Sequence, residues 1–466
     1  MSHVNQWELR AAFASALSAM YGEEVPAYTT LVEVSEKVNR EYLDSHGDDG
    51  ERLGSIQRVT AERHGAIRVG TPEELRRVSI IFRAFGMYPV GFYDLRDAAK
   101  SSVPVVSTAF RPTDKEELAR NPFRVFTSML AVDDPRFFDE DLQRRLKTFL
   151  DHRCIFSDEL VATAQVAIDG NGLPAEEAKR FVRLACDAFK LSDEPVDESW
   201  YRELESISAV AADIGGVSST HINHLTPRVL DIDALYAQMS ELGITMIDEI
   251  QGPPDWEGPD VLLRQTSFRA LDETRQFRFP DGSTGPGSLR VRFGEVEQRG
   301  IALTPQGRAL YDSLLSEVDQ IMQTDSTRSR VEVARQVWSE HLPRTEIELC
   351  LSGLGYFNFA NVEHPTSAPP SESRLSDLIK QEIVHPEPIV YEDFLPRSAA
   401  GIFQSNLTGS GARNNEQVGT TYDMNSFKEI IGAEVYDPFD LYHRESVASI
   451  EVASKLLNTS ITNDIF

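Results

Sequence analysis

Three short segments of this sequence carry residue types and spacings suited to metal chemistry. They are His64 and Arg68 in RHGAIRV, His221 and His224 in THINHLTP, and Glu295 and Glu297 in RFGEVEQRG. Two neutral imidazoles and one carboxylate form a 2-His-1-carboxylate facial triad, which leaves positions open on ferrous iron for a chelating substrate and dioxygen. An arginine nearby supplies a planar, bidentate partner for a substrate carboxylate. The bland readings are a strand-end histidine beside a solvated arginine, a chance HxxH, and a strand that reaches solvent at Glu295.

The elements that must position these side chains read as strands. On a strand His64 and Arg68 share a face, about 13 Å apart at roughly 3.3 Å per residue. Around HINH, the residues Val217, Thr220, Ile222, Leu225 and Thr226 favour a strand. Alternation then turns His224 inward with Ile222 and places His221 outward or behind. In SLRVRFGEVEQRGIAL, read as one long strand, Leu289, Val291, Phe293, Glu295 and Glu297 fall on one face. An apolar face ending in two glutamates needs a cation or strong hydrogen bonds if buried. Parity alone does not choose between Glu295 and Glu297.

Five segments follow from the surrounding patterns. Residues 1–55 read as helical, with Trp7, Leu9, Phe13, Leu17 and Tyr21 at helical spacing. Residues 56–135 form a first β-rich unit in which Thr71 caps a helix, with Glu74 three residues on. Its β-like runs are YPVGFYDL, VPVVSTAF and FRVFTSMLAV. Residues 136–215 are a helical insertion, and 216–303 a second β-rich unit containing the helix DALYAQMSEL. Residues 304–466 alternate helices with the Pro/Gly/Ser-rich loops HPTSAPPSES and TGSGARNN. Two β-rich units separated by helices suit a duplicated α+β module.

Composition narrows the function. The chain has 466 residues, 46 basic and 74 acidic side chains and a formal charge of −28. That charge disfavours nucleic acid and anionic membrane surfaces as partners. No apolar run is long enough for a transmembrane helix. The N-terminal sequence lacks a secretory pattern, and three widely spaced cysteines give no disulfide framework, so a cytoplasmic protein is expected.

The motifs RHGAIR, STHINHLTPRVLDID, RFGEVEQRGIALTPQGR and YEDFLPRSAAGIFQSNL resemble the bacterial 2-oxoadipate dioxygenase/decarboxylase family, also called D-2-hydroxyglutarate synthase. The similarity runs over essentially the whole chain. More distantly, EVEQRG is similar to the E-x-x-Q-R strand of 4-hydroxyphenylpyruvate dioxygenase, and His224-Leu-Thr to the metal-histidine strand of the vicinal-oxygen-chelate superfamily. The resemblance implies an α+β fold, a vicinal-oxygen-chelate-like half-open β-barrel around one metal, with large helical insertions. It implies Fe(2+) held by His64, His224 and Glu295, selecting Glu295 over Glu297. The implied reaction takes 2-oxoadipate and O2 to D-2-hydroxyglutarate and CO2 in lysine catabolism, catalysed by a monomer or small homo-oligomer.

Arg68 is the expected clamp for a substrate carboxylate. The resemblance adds a contact just after the proline of FLP, here Arg397, where the family usually has an apolar residue. Ser398 and Gln404 are nearby polar candidates, and Thr108 and Arg111 in STAFRP are lesser ones. A hydrolase or isomerase using the same triad with zinc or manganese is one competing reading. A non-catalytic acid-binding metalloprotein is the other.

Overall fold

Pro26 separates the first two helices, Gln6–Glu24 and Pro26–His46, because its ring suits a helix start and not a helix interior. The computed structural model describes residues 3–47, 51–97, 103–270, 273–289, 292–325, 327–362, 370–398, 402 and 417–466. Thr71 caps the helix Pro72–Ala84 as expected, its hydroxyl accepting from the Glu74 backbone N–H at 3.1 Å. No described helix is long and apolar enough to cross a membrane.

Seven strands frame the centre of the molecule: β1 (Arg63–Val69), β2 (Tyr88–Asp94), β3 (Val105–Arg111), β4 (Arg124–Leu130), β5 (His224–Pro227), β6 (Leu263–Phe268) and β7 (Gly294–Arg299). The first five form one sheet in the order β2-β3-β4-β1-β5, with β1 and β5 antiparallel. Antiparallel β6 and β7 continue it through a parallel bridge between Arg228 and Glu297. Two further bridges, Met246–Phe268 and Gln251–Gln265, lay the chain along the outer side of β6.

The order strand, helix, three extended segments thus occurs twice. It runs from β1 through Pro72–Ala84 to β2, β3 and β4, and again from β5 through Ile232–Glu241 to the bridged segment, β6 and β7. The two copies meet at β1 and β5, giving the expected half-open, metal-centred arrangement and not a closed barrel.

Alternation divides the sheet into two layers. Ile67, Val69, Val106, Phe110, Val125 and Met129 face a core shared with Leu9, Phe13, Val78 and Phe82 of the helices. Ala66, Ala109 and Phe126 face the other core, together with residues of the C-terminal region. The helical insertion holds five helices between Glu140 and Gly215.

Two expectations need correction. The long strand read over SLRVRFGEVEQRGIAL is two strands, Thr284–Leu289 and β7, with residues 290–291 outside the described set. Just before β7, Arg292 pairs with Glu24 and Glu273 on neighbouring elements. The strand expected around HINH begins only at His224. Upstream of it, Ile222 donates its N–H to Phe189 O at 3.0 Å instead of joining a ladder.

Beyond β7 the chain adds a hairpin-like pair, Phe357–Asn361 with Val384–Pro388. The following residues rejoin the centre: Ala302 N–H donates to Ile389 O at 2.8 Å and Tyr391 N–H to Gly300 O at 2.9 Å. This places Phe394 edge-on to the His64 ring, at a centroid distance of 5.0 Å.

Candidate metal centre

Register brings the three ligands together. Ala66 on β1 lies opposite His224 on β5, and His64 opposite Thr226, so both imidazoles stand on one face. β7 lies beside β5 and presents Glu295 and Glu297 to the same face. The ligand atoms of His64, His224 and Glu295 all lie within 4.8 Å of one another. His64 Nε2 is 3.5 Å from Glu295 Oε1, and His224 Nε2 is 3.5 Å from Glu295 Oε2.

The electrostatics suit a cation. Burial raises the pKa of the Glu295 carboxyl, which His64 only partly offsets. Burial also drives His224 well below the ordinary imidazole range, with His64 adding to the shift, so His224 is neutral and free to ligate. A buried carboxylate flanked by a neutral imidazole has little to stabilise its charge, and a divalent ion would supply what is missing.

The outer ring nitrogens are also engaged. His64 Nδ1 lies 2.9 Å from Glu297 Oε2, and His224 Nδ1 is 3.0 Å from Thr226 Oγ1. Such contacts fix ring orientation and leave each Nε2 to the metal. Burial opposes charge on His64, but Glu297 and Glu295 outweigh it and raise its pKa. Burial likewise opposes charge on Glu297, but Arg299 and His64 hold its carboxyl far below the usual range. Gln265 on β6 donates to Glu295 Oε1.

Arg68 stands on the same face of β1 and pairs with Asp213 of the helix Ala209–Gly215. Asp213 also lies 3.3 Å from His221 Nε2 and accepts from Asn223 Nδ2 at 3.0 Å. His221 is therefore buried in a polar frame behind Arg68, where the sequence placed it outward or behind. Ile222 does not share a face with His224. It packs with Leu225 over Gly65, where a Cβ would meet Ile222 Cδ1 at 2.8 Å. Irregular backbone at residues 220–223 breaks the alternation, so His224 faces His64 and Glu295 without the shared face with Ile222 from which parity turned it inward.

With this geometry in place, comparison with known proteins places the chain. The family profile of 2-oxoadipate dioxygenase/decarboxylase matches residues 13–406, a span that holds the triad and Arg68. The chain belongs to that family. A Mycobacterium tuberculosis protein named 2-oxoadipate dioxygenase/decarboxylase is 54% identical over 435 residues, covering 93% of this chain and 95% of that protein. An Escherichia coli relative of the same name is 40% identical over 443 residues, again covering 93% and 95%. The crystal structure of Pseudomonas putida hydroxyglutarate synthase in complex with 2-oxoadipate superposes with a TM-score of 0.83 at 37% identity, covering 98% of this chain and 100% of that one.

The remaining expectations on this family's site fare differently. Arg397 does not bring its charge inward: its guanidinium binds Asp319 of the helix Pro305–Thr324 at 2.9 Å, and its side chain is 54% exposed. A long charged side chain reaches water whenever a surface acid can hold it there. Ser398, one residue on, is buried. Thr108 points to the opposite face, where its hydroxyl donates to Gly91 O at 2.7 Å and steadies the bulge in β2. Arg111 is held by Asp393 through two hydrogen bonds, of 2.8 and 3.0 Å. Gln404 lies outside the described residues.

Sequence reasoning missed Asp213, Thr226 and Gln265. Asp213 had a readable signal, being the one acid in the otherwise apolar run AVAADIGG. Thr226 and Gln265 had none, since their roles depend on cross-strand register.

Proposed function

We propose that this chain is an Fe(II)-dependent dioxygenase/decarboxylase that converts 2-oxoadipate and O2 to D-2-hydroxyglutarate and CO2, in the cytoplasm and within lysine catabolism. The observation that carries this reading is the buried triad of His64, His224 and Glu295 with Arg68 on the same sheet face, in a chain of this family. The three named residues would hold the iron. When bound, iron would supply the chelation of the 2-oxo acid and the redox chemistry with dioxygen.

The protein's own residues do the rest. Arg68, oriented by Asp213, takes a substrate carboxylate through charge-assisted hydrogen bonds. Glu297 and Thr226 hold the two imidazoles in the tautomers that offer Nε2 inward. Phe394 edges against His64, and Phe293 stacks on His224 at a centroid distance of 5.1 Å. These rings exclude water, which strengthens every polar contact inside the site.

The test is aerobic incubation of Fe(II)-loaded protein with 2-oxoadipate, following oxygen uptake and product mass. Loss of one carbon with gain of a hydroxyl is expected, and strict anaerobiosis stops it. Turnover without oxygen would favour a hydrolase or isomerase.

A further inference from the structure

One row of the site face contains donors that the triad does not use. Reading across the sheet, Arg68 lies opposite Ser128, Ser128 opposite Ser107, and Ser107 opposite Tyr93. Facing partners point to the same side, so all four side chains stand on the face of the triad. Each is buried, with exposures of 4%, 2%, 0% and 6% in that order.

The row is rich in protons to donate. Ser107 Oγ and Ser128 Oγ are 2.8 Å apart. Two hydroxyls that bond each other use one proton and leave the second O–H to donate. The Tyr93 ring leans back over Gly91, toward Asp393 and Phe394, so its hydroxyl lies away from the two serines and adds no donor to the row. Buried donors without acceptors cost stability unless a ligand satisfies them. Arg68 does not serve alone, because Asp213 already offsets its charge.

The spacing fits a chain with a carboxylate at each end. His224 lies opposite Ala66, one two-residue step along β1 from Arg68, or about 7 Å. The intervening row is Ala66, Phe126 and Ala109, two small side chains and one ring. It is apolar, as a methylene chain requires.

We propose that Ser107 and Ser128 join Arg68 in the slot for the substrate carboxylate remote from the metal, and so set a preference for dicarboxylic over monocarboxylic 2-oxo acids. The inference rests on the proposed activity. It assigns specificity to residues on β3 and β4, away from the metal ligands.

The test compares wild type with Ser107→Ala, with Ser128→Ala and with the double variant. Each protein is loaded with Zn(II), which blocks turnover, and titrated calorimetrically with 2-oxoadipate and with 2-oxohexanoate, which lacks the remote carboxylate. Binding of 2-oxoadipate should weaken about tenfold or more, the scale of a lost hydrogen bond to a charged group. The ratio of the two affinities should fall by a similar factor. Equal losses for both acids, or an unchanged ratio, would overturn the slot. Kinetics on the Fe(II) form then separate the two readings. If wild type binds the diacid selectively but forms no hydroxylated product, the proposed activity fails and the slot stands. If product forms while the variants keep wild-type selectivity, the slot fails and the activity stands.

Discussion

Glu297 Oε2 lies 2.9 Å from His64 Nδ1, while the same carboxylate takes a hydrogen bond from Arg299 on each oxygen, at 2.7 and 2.8 Å. One acid therefore orients an imidazole of the candidate metal site and anchors it to a buried arginine. The network extends through Glu62 to Arg124 and Arg228, and through Glu392 to Arg58. It ties β1, β4 and β7 to the segment that carries Phe394.

Substituting Glu297→Gln tests that relationship. The amide keeps a hydrogen-bond acceptor for His64 but removes the charge that Arg299 faces. Metal affinity should fall by about 10–100-fold, the usual cost of disturbing a ligand's outer partner. Competition with a chelator reads it. The fold should also lose roughly 1–3 kcal/mol, because Arg299 keeps Glu62 but loses its nearer charged partner, visible in urea unfolding of the metal-free protein. Full metal affinity in a destabilised protein would make Glu297 a structural residue only.

His224→Ala separates ligation from folding. The imidazole is buried and neutral, so its removal strands no charge. Iron retained after desalting should drop from near stoichiometric to near zero, and turnover with it, while the far-ultraviolet circular dichroism stays as in wild type. Unchanged turnover would remove the triad from the mechanism.

Arg68 and Asp213 are both buried and call for a double-mutant cycle. Arg68→Ala should raise the substrate requirement by the equivalent of about 2–5 kcal/mol and leave iron binding largely intact. Asp213→Asn should give a smaller loss, because the amide still orients the guanidinium. The double variant should fall well short of the sum, as expected for groups acting as a unit. Additive losses, or parallel loss of iron, would show that Arg68 is not held by Asp213 for substrate.

The fold and the triad were legible for different reasons. Elements with a strong period, such as β4 and the helix Pro72–Ala84, matched the sequence pattern because one local rule set each of them. The run ending in Glu295 and Glu297 signalled buried carboxylates in need of a partner, and the structure supplies His64 for both. The His221–Asp213 contact was hidden because it depends on irregular backbone that propensity does not encode. Arg397 illustrates the opposite failure. Its position beside FLP suggested the site, but a surface acid 78 residues away in sequence decided where its charge went.

The same polar frame predicts how the fold responds to acid. Burial lowers the pKa of His221 to about 4, against the pull of Asp213. The unfolded chain takes up this proton near the ordinary value of about 6.5, so between those limits it binds more protons than the folded one. Stability contributed by His221 is complete above about pH 6.5, declines as pH falls and levels off below about 4. The full loss is of the order of 3 kcal/mol. Glu392 acts lower on the scale. Burial opposes its charge, but Arg58, Arg124 and Arg299 outweigh burial and pull its pKa down to about 2. Its contribution holds above about pH 4.5 and disappears as pH falls through 2. Urea midpoints measured from pH 7.5 to 4.5 should therefore fall before the bulk of the carboxylates titrate. His221→Gln should make that upper limb shallower, the remainder coming from His224, and leave the steeper loss at lower pH in place. An upper limb unchanged by His221→Gln would mean that His221 is protonated in the folded protein.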